Sequence, residues 1–202
     1  EITSLAYYKD KILQFKKSKV FVINVSGDNE FLEDTFSNVG IAQSCAVTTT
    51  PHGIAWANKK GCYLYNGESL VNLIDNKIAY NAESSSISNN YWHTSVDGGA
   101  TYNNIPAISY IETEDTLIVK FHTNDINSVA VPEGATYHFA TKSWTSIARS
   151  FTGSTLVVSS NTGDISNMIT SVNGDMLYYQ YKSGSYSRIM KWNHSSLAHS
   201  TA

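Results

Sequence analysis

The chain has 202 residues and a formal net charge of −3, from 14 basic and 17 acidic residues. Hydrophobic residues make up 42% of it and aromatic residues 12%, which excludes a disordered chain, since disorder goes with few aromatics and high net charge. All-β domains often reach this length as one unit, and we expect a single domain over residues 1–192.

Clustered Lys and Arg, which a nucleic-acid interface needs to displace counterions from phosphates, are scarce. Only two arginines are present, Arg149 and Arg188. The one lysine cluster, which we interpret as a solvated strand edge, is Lys16, Lys17 and Lys19. The longest apolar run, residues 20–25, is far shorter than the roughly 20 residues that span a bilayer. We expect neither a nucleic-acid partner nor a membrane partner.

Cys45 and Cys62 are the only cysteines, too few for a disulfide framework, and no CxxC pair indicates a structural zinc. A disulfide between them stays open, but buried thiols in a reducing compartment are the interpretation we favour. The chain opens at Glu1 rather than at Met, and we expect it to be an excerpt of a longer polypeptide.

The first segment is ambiguous. Its apolar residues roughly fit one helical face, and they fit equally well two strands joined by a turn at residues 9–11. We favour strands, because residues 20–25 are rich in β-branched and aromatic side chains and end at a polar turn over 26–29. Residues 31–34 are expected to form one helical turn.

The next segment reads as a three-strand meander. Strands are predicted at 53–58, 62–65 and 69–74. Asn66-Gly67, between the second and third, is the strongest hairpin signal in the chain, because both residues tolerate positive φ. We expect a tight turn there, with Gly67 at positive φ.

The second half shows the same alternation of strand and turn signals. Strands are predicted at 107–111, 116–121, 135–139, 143–147, 169–172, 176–181 and 186–192. A charged turn is expected at 112–115, an insertion at about 79–104, and a polar tail or connector at 193–202.

A strand that ends in a large apolar residue before a small polar turn recurs four times, at Ile23, Tyr65, Phe139 and Trp192, with spacings of 42, 74 and 53 residues. Periods of roughly 40–50 residues are typical of propeller blades, and the long gap would be one blade plus the insertion at 79–104. We predict an all-β, propeller-like fold of about three to four blades of antiparallel strands, complete or as an excerpt of a larger propeller. A β-sandwich is the alternative.

One turn resembles a motif of sialidases and related propellers. Residues 95–102, SVDGGATY, are similar to the Asp-box S-x-D-x-G-x-T-W, with Tyr in the last place. Asp97 is expected to cap the amides of a hairpin turn, and Gly98 and Gly99 to allow its positive φ values. In those families the motif is structural. Sialidase chemistry itself uses three arginines, and with two arginines such a site cannot be built from this chain alone.

Residue counts and spacings assign no catalytic motif to this sequence. The carboxylates that could form a glycosidase pair all lie in turn contexts: Glu112, Glu114, Asp115, Asp125 and Asp175. The six histidines form neither HxH nor HExxH, and there is no GxSxG elbow or glycine-rich phosphate loop. A Ser-His-Asp triad is left open by counting alone. We predict a protein that is not an enzyme, with no catalytic, cofactor-binding or metal-binding residues.

Residues 50–67, TPHGIAWANKKGCYLYNG, are similar to a segment of tailed-bacteriophage virion proteins, which include β-propeller tail, nozzle and hub-type proteins. The shared pattern is T-x-H-G-I/V-A/F-W-x-N-x-x-G-x-Y-x-Y/F-D/N-G. Residues 39–47 belong to the same similar segment, and residues 11–23 also fit, as the strand pair before that blade, so the resemblance covers about residues 11–78. It departs at 79–104, which leaves the number of blades open.

The resemblance implies a structural component of a virion tail or head–tail assembly, made in the host cytoplasm and acting through protein–protein contacts. The implied partners are other subunits of the same assembly, most simply further copies in a homo-oligomer. The alternative function is a carbohydrate-binding or adhesion propeller, which would take a host surface glycan. The thirteen tyrosines suit sheet packing first and interfaces or sugar stacking second.

Overall fold

Four antiparallel β-sheets make up the part of the chain that the structure describes. This computed structural model describes residues 1–78, 92, 106–120, 134–147, 168–182 and 186–192. Each sheet is a meander, in which strands adjacent in sequence are adjacent in the sheet. The prediction of an all-β fold is confirmed.

The strands are short, three to seven residues each. The first sheet contains β1 (Ser4–Tyr8), β2 (Lys11–Phe15), β3 (Lys19–Asn24) and β4 (Phe31–Ser37). The second contains β5 (Val47–Thr50), β6 (Gly53–Asn58), β7 (Gly61–Tyr65) and β8 (Leu70–Asn72). The third contains β9 (Ala107–Ile111), β10 (Thr116–Lys120), β11 (Gly134–His138) and β12 (Ser143–Ile147). The fourth contains β13 (Met168–Thr170), β14 (Met176–Lys182) and β15 (Tyr186–Lys191). Two 3-10 turns lie at Ser44–Ala46 and Glu112–Glu114.

The two inner sheets are buried on both faces. In β6, Ile54 and Trp56 pack toward the first sheet, whereas Ala55 and Ala57 pack toward the third. The same alternation in β10 sends Leu117 to the second sheet and Ile118 to the fourth. Successive side chains of a strand point to opposite faces, so a strand buried on both sides reads as a continuous apolar run.

The sheets follow one another face to face, with their first strands side by side. β1 contacts β5, β5 contacts β9, and β9 contacts β13. Three apolar cores fill the three gaps between consecutive sheets. A two-layer sandwich would bury each sheet on one face only, so the arrangement is that of propeller blades set around their first strands.

Residues 31–34 form part of β4, and the prediction of a helical turn there is wrong. β4 pairs with β3 through a β-bulge, which places Asp34 opposite Val22 and Leu32 opposite Ile23. Pairing with a strand already in place outweighs a weak local preference. The favoured reading of the first segment is confirmed: β1 and β2 are joined by Lys9 and Asp10, both at positive φ, as in a two-residue type I′ hairpin.

The recurring positions of the sequence mark the third strand of each sheet. Ile23 lies in β3 and Tyr65 ends β7, while Phe139 and Trp192 directly follow β11 and β15. The uneven spacing comes from the connections between sheets. The predicted insertion at 79–104 lies outside the described residues except for Trp92, as does the predicted tail at 193–202.

Candidate interaction surfaces

Turns that follow the first strand of each sheet meet at one end of the stack, which we call the first face. Tyr8 donates a hydrogen bond from its hydroxyl to the carbonyl of Pro51, at 3.0 Å. Between the third and fourth sheets, the Thr170 hydroxyl donates to the carbonyl of Tyr110, at 2.8 Å. The opposite end, the second face, carries the turns at 16–18 and 59–60.

A polar cluster on the first face joins the second sheet to the third. His52 Nε2 lies 2.7 Å from Asp115 Oδ1, and the Tyr110 hydroxyl donates to the same oxygen, also at 2.7 Å. The His52 ring stacks on Phe139, with centroids 4.0 Å apart. The histidine thus contacts two turns of the neighbouring sheet.

The turn from β5 to β6 aims His52 at that neighbour. The hydroxyl of buried Thr50 donates to the carbonyl of Gly53 and accepts from the backbone N–H of His52, at 2.9 and 3.1 Å. Gly53 has a φ of +143°, and a Cβ built on it would lie 2.1 Å from the carbonyl oxygen of Tyr65. Thr and Gly of the T-x-H-G pattern therefore have a structural role, which is to fix the histidine.

Electrostatics within the cluster favour a charged aspartate. Partial burial raises the pKa of Asp115, but hydrogen bonds from His52 and Tyr110, with the charge of His52, outweigh it, and the pKa lies below its ordinary value. Burial first, and the hydrogen bond to Asp115 second, raise the pKa of Tyr110. Asp115 thus holds His52 and Tyr110 in place as an anion.

The cluster can fix the second sheet to the third, but it contains no exposed nucleophile. The Thr116 hydroxyl is 2.8 Å from His138 Nδ1, next to Asp115, but Thr116 is completely buried. A nucleophile has to reach a substrate as well as a base. Both cysteines are buried free thiols, and burial raises the pKa of Cys45 to about 12 and that of Cys62 further.

Two sheet faces at the ends of the stack are open and apolar. On the outer face of the first sheet, Leu5 is 62% exposed and Tyr7 is equally open, with half-buried Ile12 and Ile23 on the neighbouring strands. We call this the first outer face. The last outer face, on the fourth sheet, carries Ile189, which is 74% exposed, together with Ile169 and half-buried Leu177.

A lysine-rimmed groove of about 280 Å³ lies on the second face, between the first and second sheets. Lys17, Lys59 and Lys60 are exposed at its rim, and Ala46 and Ala57 lie among its small lining residues. Asn58 fixes the turn that carries two of the lysines, because its side-chain oxygen accepts from the N–H of Lys60 at 2.7 Å. We call it the lysine groove.

The predicted structural turns divide into one that the structure describes and one that it does not. Asn66 and Gly67 connect β7 to β8; the Asn66 side chain accepts from the N–H groups of Glu68 and Ser69, and Gly67 has a φ of +99°. The predicted turn at Asp97, Gly98 and Gly99 lies outside the described residues.

The sequence analysis considered Asp115 only as a turn carboxylate and did not pair it with His52. His52 and Asp115 are separated by 63 positions, and no spacing rule joins them. The available signal was the T-x-H-G pattern, in which a histidine stands between two turn-forming residues at the start of a buried strand.

Within the described ranges, no three or more His, Cys, Asp or Glu side chains are placed to share a metal ion. The same part of the chain contains no helix with the length and apolar character needed to cross a membrane. Compared with protein-family models and with curated proteins, the chain has no significant match.

Proposed function

We propose that this chain is a structural component of a virion tail or head–tail assembly and that it works through contacts with other subunits. The observation that carries the proposal is the pair of apolar outer faces at the two ends of the sheet stack. Solvated faces of antiparallel sheets are normally polar, and open apolar patches mark interaction sites.

The packing between the inner sheets shows what a contact between two subunits through these outer faces would look like. Each gap between consecutive sheets is filled by large apolar side chains from both, such as Phe15 and Trp56, whose rings meet edge to face at 5.2 Å. Leu5 and Tyr7 on one outer face and Ile189 on the other present groups of the same kind. The last outer face of one copy therefore continues the stack on the first outer face of the next. Two such copies would bring eight sheets together, which is within the size range of closed propellers.

The virion setting is supported by the resemblance of residues 50–67. Its conspicuous positions have structural roles: Trp56 Nε1 donates to the carbonyl of Val39, in the connection between the first two sheets, at 2.6 Å, and the Tyr65 hydroxyl donates to the carbonyl of Gly67, in the turn that follows it, at 3.0 Å. Asn58 Nδ2 donates to the carbonyl of Gly40 at 2.8 Å. Such roles fit an architectural protein without hydrolytic activity of its own.

Sedimentation velocity tests the contact. The wild-type chain should form dimers or larger species that persist in high salt, because apolar contacts are not screened. Leu5→Glu and Ile189→Glu should each remove these species, since either places an uncompensated charge in the contact. The matched control is Val172→Glu, because Val172 is fully exposed but lies in a turn on the first face.

A wild-type chain that is monomeric at all concentrations, or Glu variants that associate like the control, would contradict the contact. The virion setting has a separate test. Peptides of this sequence should be found by mass spectrometry in purified particles of a phage that encodes it, and their absence would refute that setting.

The adhesion alternative is favoured by one feature, the exposed ring of Tyr7 beside Leu5, because a flat aromatic face can stack on a sugar ring. A glycan array separates the two functions. Reproducible binding to a defined sugar, lost in Tyr7→Ala, would select the adhesion function, and an array without signal would select the assembly function.

A further inference from the structure

The two faces of the stack carry opposite charge in the part of the chain that the structure describes. The turns of the first face contain acidic residues at Asp10, Asp28, Glu30, Glu68, Glu112, Glu114, Asp115 and Asp175. Basic residues in those turns are Lys9 and Lys142. The described turns of the second face, at 16–18, 59–60 and 73–78, contain Lys16, Lys17, Lys59, Lys60 and Lys77, and one acidic residue, Asp75.

Most of these charges are available to a partner. Within the described residues, Lys17, Lys59 and Lys60 have no carboxylate within 4.0 Å, and all three are exposed. On the first face, Glu30, Glu68 and Glu112 are likewise exposed, whereas Asp115 and Asp175 are paired with His52 and Lys191. The exposed charges are therefore mostly acidic on the first face, with Lys9 and Lys142 as exceptions, and mostly basic on the second face, with Asp75 as the exception.

We propose that the lysine groove binds the acidic first face of a second copy of this chain, so that copies stack end to end. This inference rests on the proposed assembly role and adds a direction of growth to it. A first-face turn with acidic side chains, such as residues 112–114, in which Glu112 is exposed, complements a groove of about 280 Å³ whose rim carries three lysines. The contact is heterologous, so it repeats from copy to copy instead of closing on itself.

An acidic protein face suits the groove better than a nucleic acid does. A phosphate backbone needs a long basic track with arginines, whereas this groove is short and has no arginine in its described lining. The formal charge of −3 favours the same choice.

Charge reversal tests the stacking. One variant, Lys17→Glu, Lys59→Glu, Lys60→Glu, makes the second face acidic; another, Glu30→Lys, Glu68→Lys, Glu112→Lys, Glu114→Lys, makes the first face basic. Sedimentation velocity would be run at about 20 mM and about 500 mM salt, where the Debye length is roughly 20 Å and 4 Å. Wild-type stacks should form at low salt and dissociate at high salt.

Each variant alone should lose the stacking, because both of its faces then have the same sign. An equimolar mixture of the two should regain it, since every face of one variant now meets an opposite face of the other. The control Lys17→Arg, Lys59→Arg, Lys60→Arg keeps the charge and should stack like the wild type. Circular dichroism of each variant checks that the strand signal is retained.

The proposal would be overturned if sedimentation of the wild-type chain did not depend on salt. It would also be overturned if an equimolar mixture of the two charge-reversal variants did not associate. Binding of a DNA oligonucleotide by a wild-type chain that does not stack would assign the groove to nucleic acid instead. Stacking is separable from the lateral contact of the outer faces, because lateral association persists in high salt. Leu5→Glu should abolish the lateral contact alone, so either proposal can fail without the other.

Discussion

Gly53→Ala should destabilise the fold more than its small added volume suggests. Gly53 has a φ of +143°, a region that residues with a side chain rarely adopt, and such strain costs roughly 1–3 kcal/mol. The added Cβ would also lie 2.1 Å from the carbonyl oxygen of Tyr65 and 3.0 Å from Cα of Asn66. These are backbone atoms, so no flexible side chain can move aside.

β6 has to move relative to β7 before the contact between the added Cβ and the Tyr65 carbonyl oxygen can be relieved. Residues 53–57 of β6 are all buried, and the strand is packed on both faces, so a shift disturbs two cores at once. Forcing extra volume into a packed interior costs roughly 1–3 kcal/mol. Together with the backbone strain, we expect a loss of about 2–6 kcal/mol in the free energy of unfolding, a large part of the roughly 5–15 kcal/mol of an ordinary protein.

Urea unfolding followed by tryptophan fluorescence would measure this loss, because Trp56 lies three residues from the substitution and is fully buried. The control is Gly27→Ala, at an exposed turn where a Cβ meets nothing within 4 Å, and its change should stay within about 0.5 kcal/mol. If Gly53→Ala were as stable as Gly27→Ala, the close approach of β6 to Tyr65 would be wrong.

Three further predictions concern single side chains. Gly67→Val should lower the free energy of unfolding, measured with urea, by about 1 kcal/mol or more, because a β-branched residue resists positive φ. An unchanged urea unfolding curve would contradict the positive φ at this turn. The anionic form of Asp115, whose pKa is lowered in the fold, adds stability above about pH 4 that is lost as the pH falls through the lowered pKa. The stability gap between wild type and Asp115→Asn should thus narrow from about pH 6 to about pH 3, and a constant gap would argue against the pair with His52. Cys45 and Cys62 should react with thiol reagents only after unfolding, because burial disfavours both thiolates; rapid labelling of the native chain would refute their burial.

Strands bounded by turn residues were predictable from the sequence to within about two residues. The predicted segments 53–58, 107–111 and 143–147 coincide with β6, β9 and β12, since each is a compact apolar or aromatic run between polar turns. β4 and β5 were missed. β5 is the sequence VTTT, and it is held by pairing with β6 and by contacts with β1 and β9, none of which a local pattern records.

The candidate surfaces were less predictable than the strands. Tyr7 and Trp56 are both aromatic residues in strands, yet one is exposed on an end sheet and the other is buried between two sheets. Which of them is open depends on the position of the sheet in the stack, and that position is set by contacts between distant parts of the chain. The lysine cluster was interpreted as a solvated strand edge, and only the packing of the first two sheets brings Lys17 next to Lys59 and Lys60.

The distribution of apolar residues on the open face of the first sheet indicates where a neighbouring subunit would pack. If its outer face had evolved to face solvent, polar residues would be expected along all four strands, because a solvated sheet alternates apolar and polar positions. Apolar residues instead cross the whole open face, from Leu5 and Tyr7 in β1 to Leu32 in β4, which is 57% exposed and lies opposite Ile23. Asp34, by contrast, lies opposite the core residue Val22 and so on the other side of the sheet. β1 is the strand that contacts the second sheet, and its counterparts β5 and β9 lie side by side in the same way. The apolar surface of the open face thus extends from the strand at which every other pair of sheets in this protein meets to the edge strand β4, and one more sheet would continue the stack on it.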